Sequence, residues 1–447
     1  MRITNSMITN KMMLNINKNV RKVDNYYNQL STGKAIQVPS DNPILAARAL
    51  KFRTNLKETE QYKRNVSQGI SWMEVTEQGF TNTNNLTERI RELCVQGASD
   101  SYGYEDRKKI ITDIKSLVEQ IGVEMNVSYG GRYVFSGYRT DKPPVLTADT
   151  SDSFSIKQNF SLTDIQETKS YQRQDTITQP DIKDIRVLKL AYQDATITST
   201  NVNGLGITSK SLNDSDAYEP VAGSINYIKE TGELIIHEDD LPTLTGGFSI
   251  EYDKTGLNKG ELNPEVYFEC TNNTTGASYS GDDQILEFEF GLNSRIGINS
   301  LAKKVYTEKM YADLKAFVDI VEKTELSDES HLTTYYSNPP HNLSGKELTE
   351  AVEKQLTEET QKIQGMLQDR FSDMLSDLDR HVNNVSKEHA DLGTRMNRLE
   401  LIENRLGEDE VTYSKLLSEN EDADYMETIM QLQISESIYQ ASLQVGA

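Results

Sequence analysis

Residues 30–50 read LSTGKAIQVPSDNPILAARAL. One glycine, two prolines and a Ser-Asp-Asn cluster interrupt a sequence that is rich in helix formers on both sides. Gly33 permits a helix to stop, Pro39 predicts an extended connector, and Ser40, Asp41 or Asn42 can cap a new helix with Pro43 in its first turn. Gly33, Pro39, Asp41 and Pro43 therefore mark a joint between two helical segments.

Upstream of the joint, apolar residues fall at Met13, Ile16, Val20, Val23, Tyr27 and Leu30, a heptad stripe that stops where the joint begins. A helix of about 25 residues with one apolar face needs a partner to cover it. The far end of the chain offers one, with Met426, Met430, Ile434, Ile438, Ala441 and Val445 at near-helical spacing. Leu432 and Leu443 lie off that stripe and widen it, so contact with more than one neighbour is expected. Charge agrees: residues 1–60 hold ten Lys/Arg against four Asp/Glu, whereas 341–447 hold ten against twenty-two. A basic start can meet an acidic end.

Downstream of the joint, helical patterning runs from Ile44 to about Gln96 and again from Glu105 to about Val127, with GASDSYGY (97–104) as a turn. It returns near Leu301, breaks over 327–345, and then continues through two stripes, Leu367 to Val385 and Leu392 to Leu406. Between Val145 and Phe290 the period falls to two and Gly, Thr, Asn and Asp accumulate. SINYIKETGELIIH (224–237) predicts a hairpin turning near Thr231-Gly232, and LEFEF (286–290) a strand. The fold class is mainly α with a β-rich insertion (α+β): an elongated helical coiled-coil rod built from both chain ends, with a central projecting β domain. The expected domains are 1–42 with 408–447 as terminal assembly helices, 43–140 with 300–407 as a helical rod, and 141–299 as a β-rich outer domain.

The chain has 447 residues, enough for two or three domains, and a formal charge of −22. That charge argues against nucleic acid and anionic membrane surfaces as partners. No run approaches the ~18 apolar residues of a membrane span, and MRITNSMITNKMMLNINKNV (1–20) has no apolar signal core. By that test alone the chain would be cytoplasmic. Cys94 and Cys270 stand alone, which leaves no disulfide framework or CxxC motif. Of the five histidines, His237 precedes Glu238, but Leu241 occupies the place of the second histidine in a zinc-protease motif. His389 continues the spacing of Leu378, Val382 and Val385 and is expected to pack. Ser344-Gly345-Lys346 lacks the earlier glycine of a phosphate loop. No catalytic residue, cofactor or metal site is expected.

Several motifs together carry a family likeness. LSTGKAIQVPSDNPILAARAL, NVSQGISWMEVTEQGF (65–80) and LTERIRELCVQGAS (86–99) resemble the N-terminal region of bacterial flagellins and their relatives, and ENEDADYMETIMQLQISESIYQASLQ (419–444) the matching C-terminal region. Pro43 after Ser40-Asp41-Asn42, GGRYVFSGYRTDKPP (130–144) and LGTRMNRLELIENRLGEDEVTYSKLLSENEDAD (392–424) are most similar to the hook-filament junction branch of the family. The resemblance implies a non-enzymatic structural subunit of the flagellum between hook and filament. It further implies self-association in a ring, contact with a neighbouring hook-associated protein and with flagellin, and an export chaperone. Extracellular delivery by the flagellar type III apparatus, without a cleaved signal, would replace the cytoplasmic reading. Three alternatives stay open: filament flagellin, an acidic coiled-coil adhesin or secreted effector carrying a β domain, and a carbohydrate-active or proteolytic middle domain, which would need a site that residues 145–290 do not show. On the resemblance and the two stripes together, Met13, Ile16, Val20, Val23, Tyr27 and Leu30 with Met426, Met430, Ile434, Ile438, Ala441 and Val445 form the candidate assembly interface. The ends are expected to order on assembly.

Overall fold

The computed structural model describes residues 5–172, 181–199, 201–211, 214, 216–281, 284–291, 293–338 and 341–446. Its helices, in chain order, are α1 (Asn5–Thr32), α2 (Pro43–Gly97), α3 (Tyr104–Met125), α4 (Pro264–Tyr267), α5 (Ala302–Val305), α6 (Glu308–Lys323), α7 (Glu329–Ser337), α8 (Gly345–Glu421) and α9 (Tyr425–Gly446). Long helices from both ends of the chain thus flank a central β region, as the change of period predicts. The chain divides into two compact units, one of residues 1–69, 288–296 and 397–447, the other of 70–287 and 297–396.

In the first unit α1 packs on α9. The start of α2 is tied to the end of α8 by Lys63 Nζ, 2.8 Å from Glu410 Oε2, and by an Arg53–Glu421 ion pair. Asn65 Nδ2 donates to the Glu289 carbonyl at 2.9 Å, which brings the strand at 287–291 onto α2.

In the second unit the helical stripes meet. Phe80, Ile90 and Leu93 of α2, Ile111, Ile114 and Ile121 of α3, Leu314 and Val321 of α6, and Leu367, Phe371 and Leu378 of α8 are all buried. The close approach of α2 to α8 depends on Gly97, whose added Cβ would run into the Phe371 ring. Phe371 in turn meets Phe317 edge-on at 4.9 Å. Arg107 is buried and donates from Nε to the Gly97 carbonyl at 2.8 Å and from its guanidinium to the Ser99 carbonyl at 3.1 Å. A cation thus satisfies carbonyls that a helix end leaves open.

Two sheets fill the middle of the chain. One has five antiparallel strands, in the order 278–279, 269–272, 150–160, 248–257 and 196–197. The other has six, in the order 166–172, 181–189, 233–236, 224–228, 205–210 and 201–202, with one parallel pair between 205–210 and 224–228. The hairpin at 224–236 forms as expected: Gly232 takes φ +73°, and a Cβ there would stand 3.0 Å from the Tyr192 carbonyl. Alternation is visible along 248–257, where Phe248, Ile250 and Tyr252 are buried.

Two expectations need correction. The segment 327–345 is not a simple break, because α7 lies inside it, started by Asp328, whose carboxylate accepts from Ser330 N at 2.9 Å. Pro39 does not keep its connector extended either. It sits in a turn closed by Asp41 N on the Val38 carbonyl at 3.0 Å, with Asp41 Oδ2 accepting from Gln37 N and Val38 N at 3.2 Å each. The fixed φ of proline suits both conformations, and the Asp41 carboxylate selects the turn.

Candidate assembly interface

The joint is built much as its residue types dictate. Gly33 ends α1 at φ +70° with its N–H on the Gln29 carbonyl at 2.8 Å, a left-handed helix stop that glycine adopts without strain. Of the three possible caps, Asn42 is the one used: its Oδ1 accepts from Leu45 N at 3.2 Å, and Pro43 opens α2. Asp41 instead organises the turn ahead of the cap.

Along α1 the half-buried positions Met12, Ile16, Asn19, Val23, Tyr26 and Leu30 form a four-three repeat, with Asn28 and Gln29 half-buried beside its end. Ile16, Val23 and Leu30 of the predicted stripe belong to it. Met13, Val20 and Tyr27 do not, being 59, 42 and 64% exposed. On α9 the covered positions are Thr428, Gln431, Leu432, Ser435, Tyr439 and Ser442. The apolar residues singled out on α9 are turned away from this seam: Met426, Met430, Ile434 and Ile438 are 80, 52, 46 and 49% exposed, and Ala441 is exposed as well. The Val445 side chain lies outside the described residues.

The two terminal helices therefore pair through a seam in which a mainly apolar face of α1 meets a mostly small or polar face of α9, crossed by Asn19 Nδ2 donating to Ser442 Oγ at 3.0 Å. Sequence reasoning passed over Thr428, Ser435 and Ser442. Their seven-residue separations from one another, with Leu432 four residues after Thr428 and three before Ser435, are the signal that would have found them, but small hydroxyl side chains carry no hydropathy contrast. Pairing leaves two open apolar surfaces, to which Met7, Leu14, Ile429 and Leu443 also contribute. Exposed apolar side chains grouped on these helix faces make them the candidate assembly interface.

Cys94, Cys270, His381 and His389 are packed inside the fold. Burial pushes the Cys94 and Cys270 thiols up to about 12, which keeps both protonated and unreactive at neutral pH. His389 stacks flat on Phe80 at 5.5 Å. His381 is buried against Asp313, Nε2 to Oδ2 3.1 Å, and the other Asp313 oxygen accepts from Gln166 at 3.1 Å. Among the described residues no group of three or more His, Cys, Asp or Glu could hold a metal ion, and no helix is long and apolar enough to cross a membrane.

Comparison with known proteins places the likeness at the two ends. Residues 3–140 match the bacterial flagellin N-terminal helical region, and residues 375–447 match the bacterial flagellin C-terminal helical region. The chain is 29% identical over 151 residues to flagellin 1 of Proteus mirabilis, covering 34% of this chain and 41% of that protein. It is 28% identical over 145 residues to flagellar hook-associated protein 3 of Escherichia coli K12, covering 32% and 46%. The chain thus spans less than half the length of these relatives. A solved flagellar hook-associated protein 3 from Legionella pneumophila aligns over 82% of this chain and 97% of its own, at 16% identity and a TM-score of 0.35. Both terminal regions are matched in order, and the helices they contain pack on one another. The likeness to bacterial flagellins thus lies in the two ends of the chain, residues 3–140 and 375–447.

Proposed function

We propose that this protein is a structural, non-catalytic subunit of the bacterial flagellum, joining hook to filament, and that it assembles through the outward faces of α1 and α9. One observation carries the proposal. In the flagellin-matched ends, the apolar side chains that pairing leaves open outnumber those it covers on α9. Copies of the chain would associate in a ring, with a hook-associated protein and flagellin as the neighbours along the axis. Apolar burial at roughly 25 cal/mol per Å² drives this association, and the basic start and acidic end assist its register. In this reading 1–42 and 408–447 form an inner layer, 43–140 and 300–407 a middle layer, and 141–299 an outer domain tolerant of change. Until neighbours arrive, burial on the terminal helices does not offset an ordering cost of about 1–2 kcal/mol per residue, so both ends are held to fray in the free subunit. An export chaperone would cover them before the flagellar type III apparatus delivers the chain outside the cell, without signal cleavage.

Imaging a strain that lacks the protein tests this reading. Hooks without filaments, with flagellin shed into the medium, are the expected result. Filament flagellin, favoured by the likeness to flagellin 1 of Proteus mirabilis, would instead leave hooks capped by junction proteins and would polymerise alone into long filaments. Unimpaired swimming would reject both.

A further inference from the structure

The two ends of the chain are tied at the joint by more than helix pairing. Ala35 N donates to the Glu421 carbonyl at 2.7 Å and Ala423 N to the Gly33 carbonyl at 2.9 Å, a short antiparallel bridge with Lys34 opposite Asp422. Around it, Lys34 Nζ stands 2.6 Å from Asp422 Oδ1 and 3.4 Å from Glu421 Oε1. Arg53, in the third turn of α2, forks onto Glu421, with Nε 3.0 Å from Oε2 and a terminal nitrogen on Oε1. Ser418 Oγ donates to the second oxygen of Asp422 at 2.6 Å. The Glu421 side chain is only 5% exposed, so both of its oxygens need these partners. Next to this cluster Tyr425 Oη, in the first turn of α9, donates to the Leu30 carbonyl in the last turns of α1 at 3.1 Å.

The seam between α1 and α9 does not by itself fix how the helices align. Its covered positions repeat every seven residues on both helices, so a slip by one heptad, about 10.5 Å, would exchange Thr428, Ser435 and Ser442 for one another and Leu432 for Tyr439 at little loss of apolar burial. We propose that Lys34, Arg53, Glu421 and Asp422 form an ionic latch that clamps the two chain ends in one register, opens in acid or high salt, and lets frayed α1 and α9 re-pair correctly. The inference rests on the reading of α1 and α9 as assembly elements. By holding the helix ends together, the latch keeps their re-pairing local.

The charged groups gathered here are Lys34 and Asp41 from the connector, Arg53 from α2, Glu421 at the end of α8, Asp422 in the link to α9, and Asp424 just ahead of α9. Asp41 and Asp424 are engaged locally, Asp424 Oδ1 accepting from Met426 N at 2.9 Å and Glu427 N at 3.1 Å. Hydrogen bonds from Lys34 and then Ser418 hold the Asp422 carboxyl below its usual range, and the bond to Asp422 holds Lys34 above its own. A depressed carboxyl contributes its stability above the unfolded value, about 3.9, and loses it as the pH falls below that.

Amide hydrogen exchange on the full-length chain, corrected for intrinsic rates, provides the test. Lys34→Glu is expected to raise exchange along α9 between 426 and 440 roughly five- to tenfold, although the substitution is in the connector. Lys34→Asp combined with Asp422→Lys is expected to restore protection. Salt near 1 M should act on the parent chain but not on the Glu421→Gln/Asp422→Asn variant, where no latch is left to screen. Unchanged α9 exchange in Lys34→Glu, or no recovery in the reversed pair, overturns the latch. Either result leaves the junction assignment standing, because that is read from hooks and shed flagellin and not from exchange.

Discussion

Asn19 and Ser442, separated by 423 residues in the chain, are joined across the α1–α9 seam by a 3.0 Å hydrogen bond. The Ser442 hydroxyl also donates a hydrogen bond to the Ile438 carbonyl of its own helix at 2.7 Å, so it accepts from α1 and donates within α9. Alanine at both sites is expected to show a coupling of about 0.5–1 kcal/mol in a double-mutant cycle of thermal unfolding. Additive effects would mean that the bond contributes nothing to pairing.

Enlarging the seam should be more damaging than trimming it. Ser435 is 8% exposed on the covered face of α9. Leucine there adds volume where the helices approach and is expected to cost roughly 1–3 kcal/mol of pairing, read as increased exchange or proteolysis of both terminal helices. The same change at the exposed Ile434 should leave pairing intact.

The outward faces invite the opposite experiment. Val20→Asp and Ile434→Asp place a charge on surfaces that are open in the single subunit, so secondary structure and the melting of the second unit should stay at parent values. Incorporation should fail, since each change removes about 1.5–3 kcal/mol of apolar burial and adds the cost of a desolvated carboxylate at every copy of the contact. Sedimentation and electron microscopy of the variants check this. Normal assembly would remove these faces from the interface.

Phe371 and Gly97 supply a test inside the second unit. Gly97→Ala forces a methyl group into the Phe371 ring, which Phe317 holds from the other side. A loss of about 1–3 kcal/mol is expected from denaturant unfolding, and Phe371→Leu in the same chain should recover part of it.

Legibility in the sequence followed the range of the interactions. The joint at 33–43 could be read because its glycine, asparagine and proline act on their own backbone within four residues. Long helices and the β region were legible from their periods, and Asp41, whose reach is three and four residues, was the only local contact to bend the Pro39 connector unexpectedly. Half of the α1 stripe, Met13, Val20 and Tyr27, proved to face outward because hydropathy marks apolar positions without saying which neighbour covers them. On α9 the difference is larger. Its apolar residues step by four, about 400° each time, so they drift around the helix and away from α1, while Thr428 and Ser435 take the seam. Arg53 and Glu421 lie 368 residues apart, and nothing in either neighbourhood announces the pair.

Glu308 and Asp313 should bend the pH dependence of the second unit in opposite senses. Glu308, at the start of α6, is held among buried groups, and that burial, reinforced by the nearby Asp164 charge, pushes its carboxyl up from 4.5 to about 7. Between those values the folded chain keeps a proton that the unfolded chain has released, so stability falls as pH rises from about 4.5 to about 7 and stays low above it. The full effect is of the order of 3 kcal/mol, taking each pKa unit as about 1.4 kcal/mol. Asp313 works the other way. Burial opposes its ionisation, but the hydrogen bond from His381 and the charges of Lys189, His381 and Lys309 outweigh it and hold the carboxyl below its usual range. Its contribution is therefore present above about pH 4 and is lost as the pH falls further. Thermal unfolding of the full chain is expected to peak near pH 5, with Glu308→Gln flattening the decline toward pH 8 and leaving the acid limb in place. A decline toward pH 8 that survives in Glu308→Gln would assign the alkaline loss to some other group.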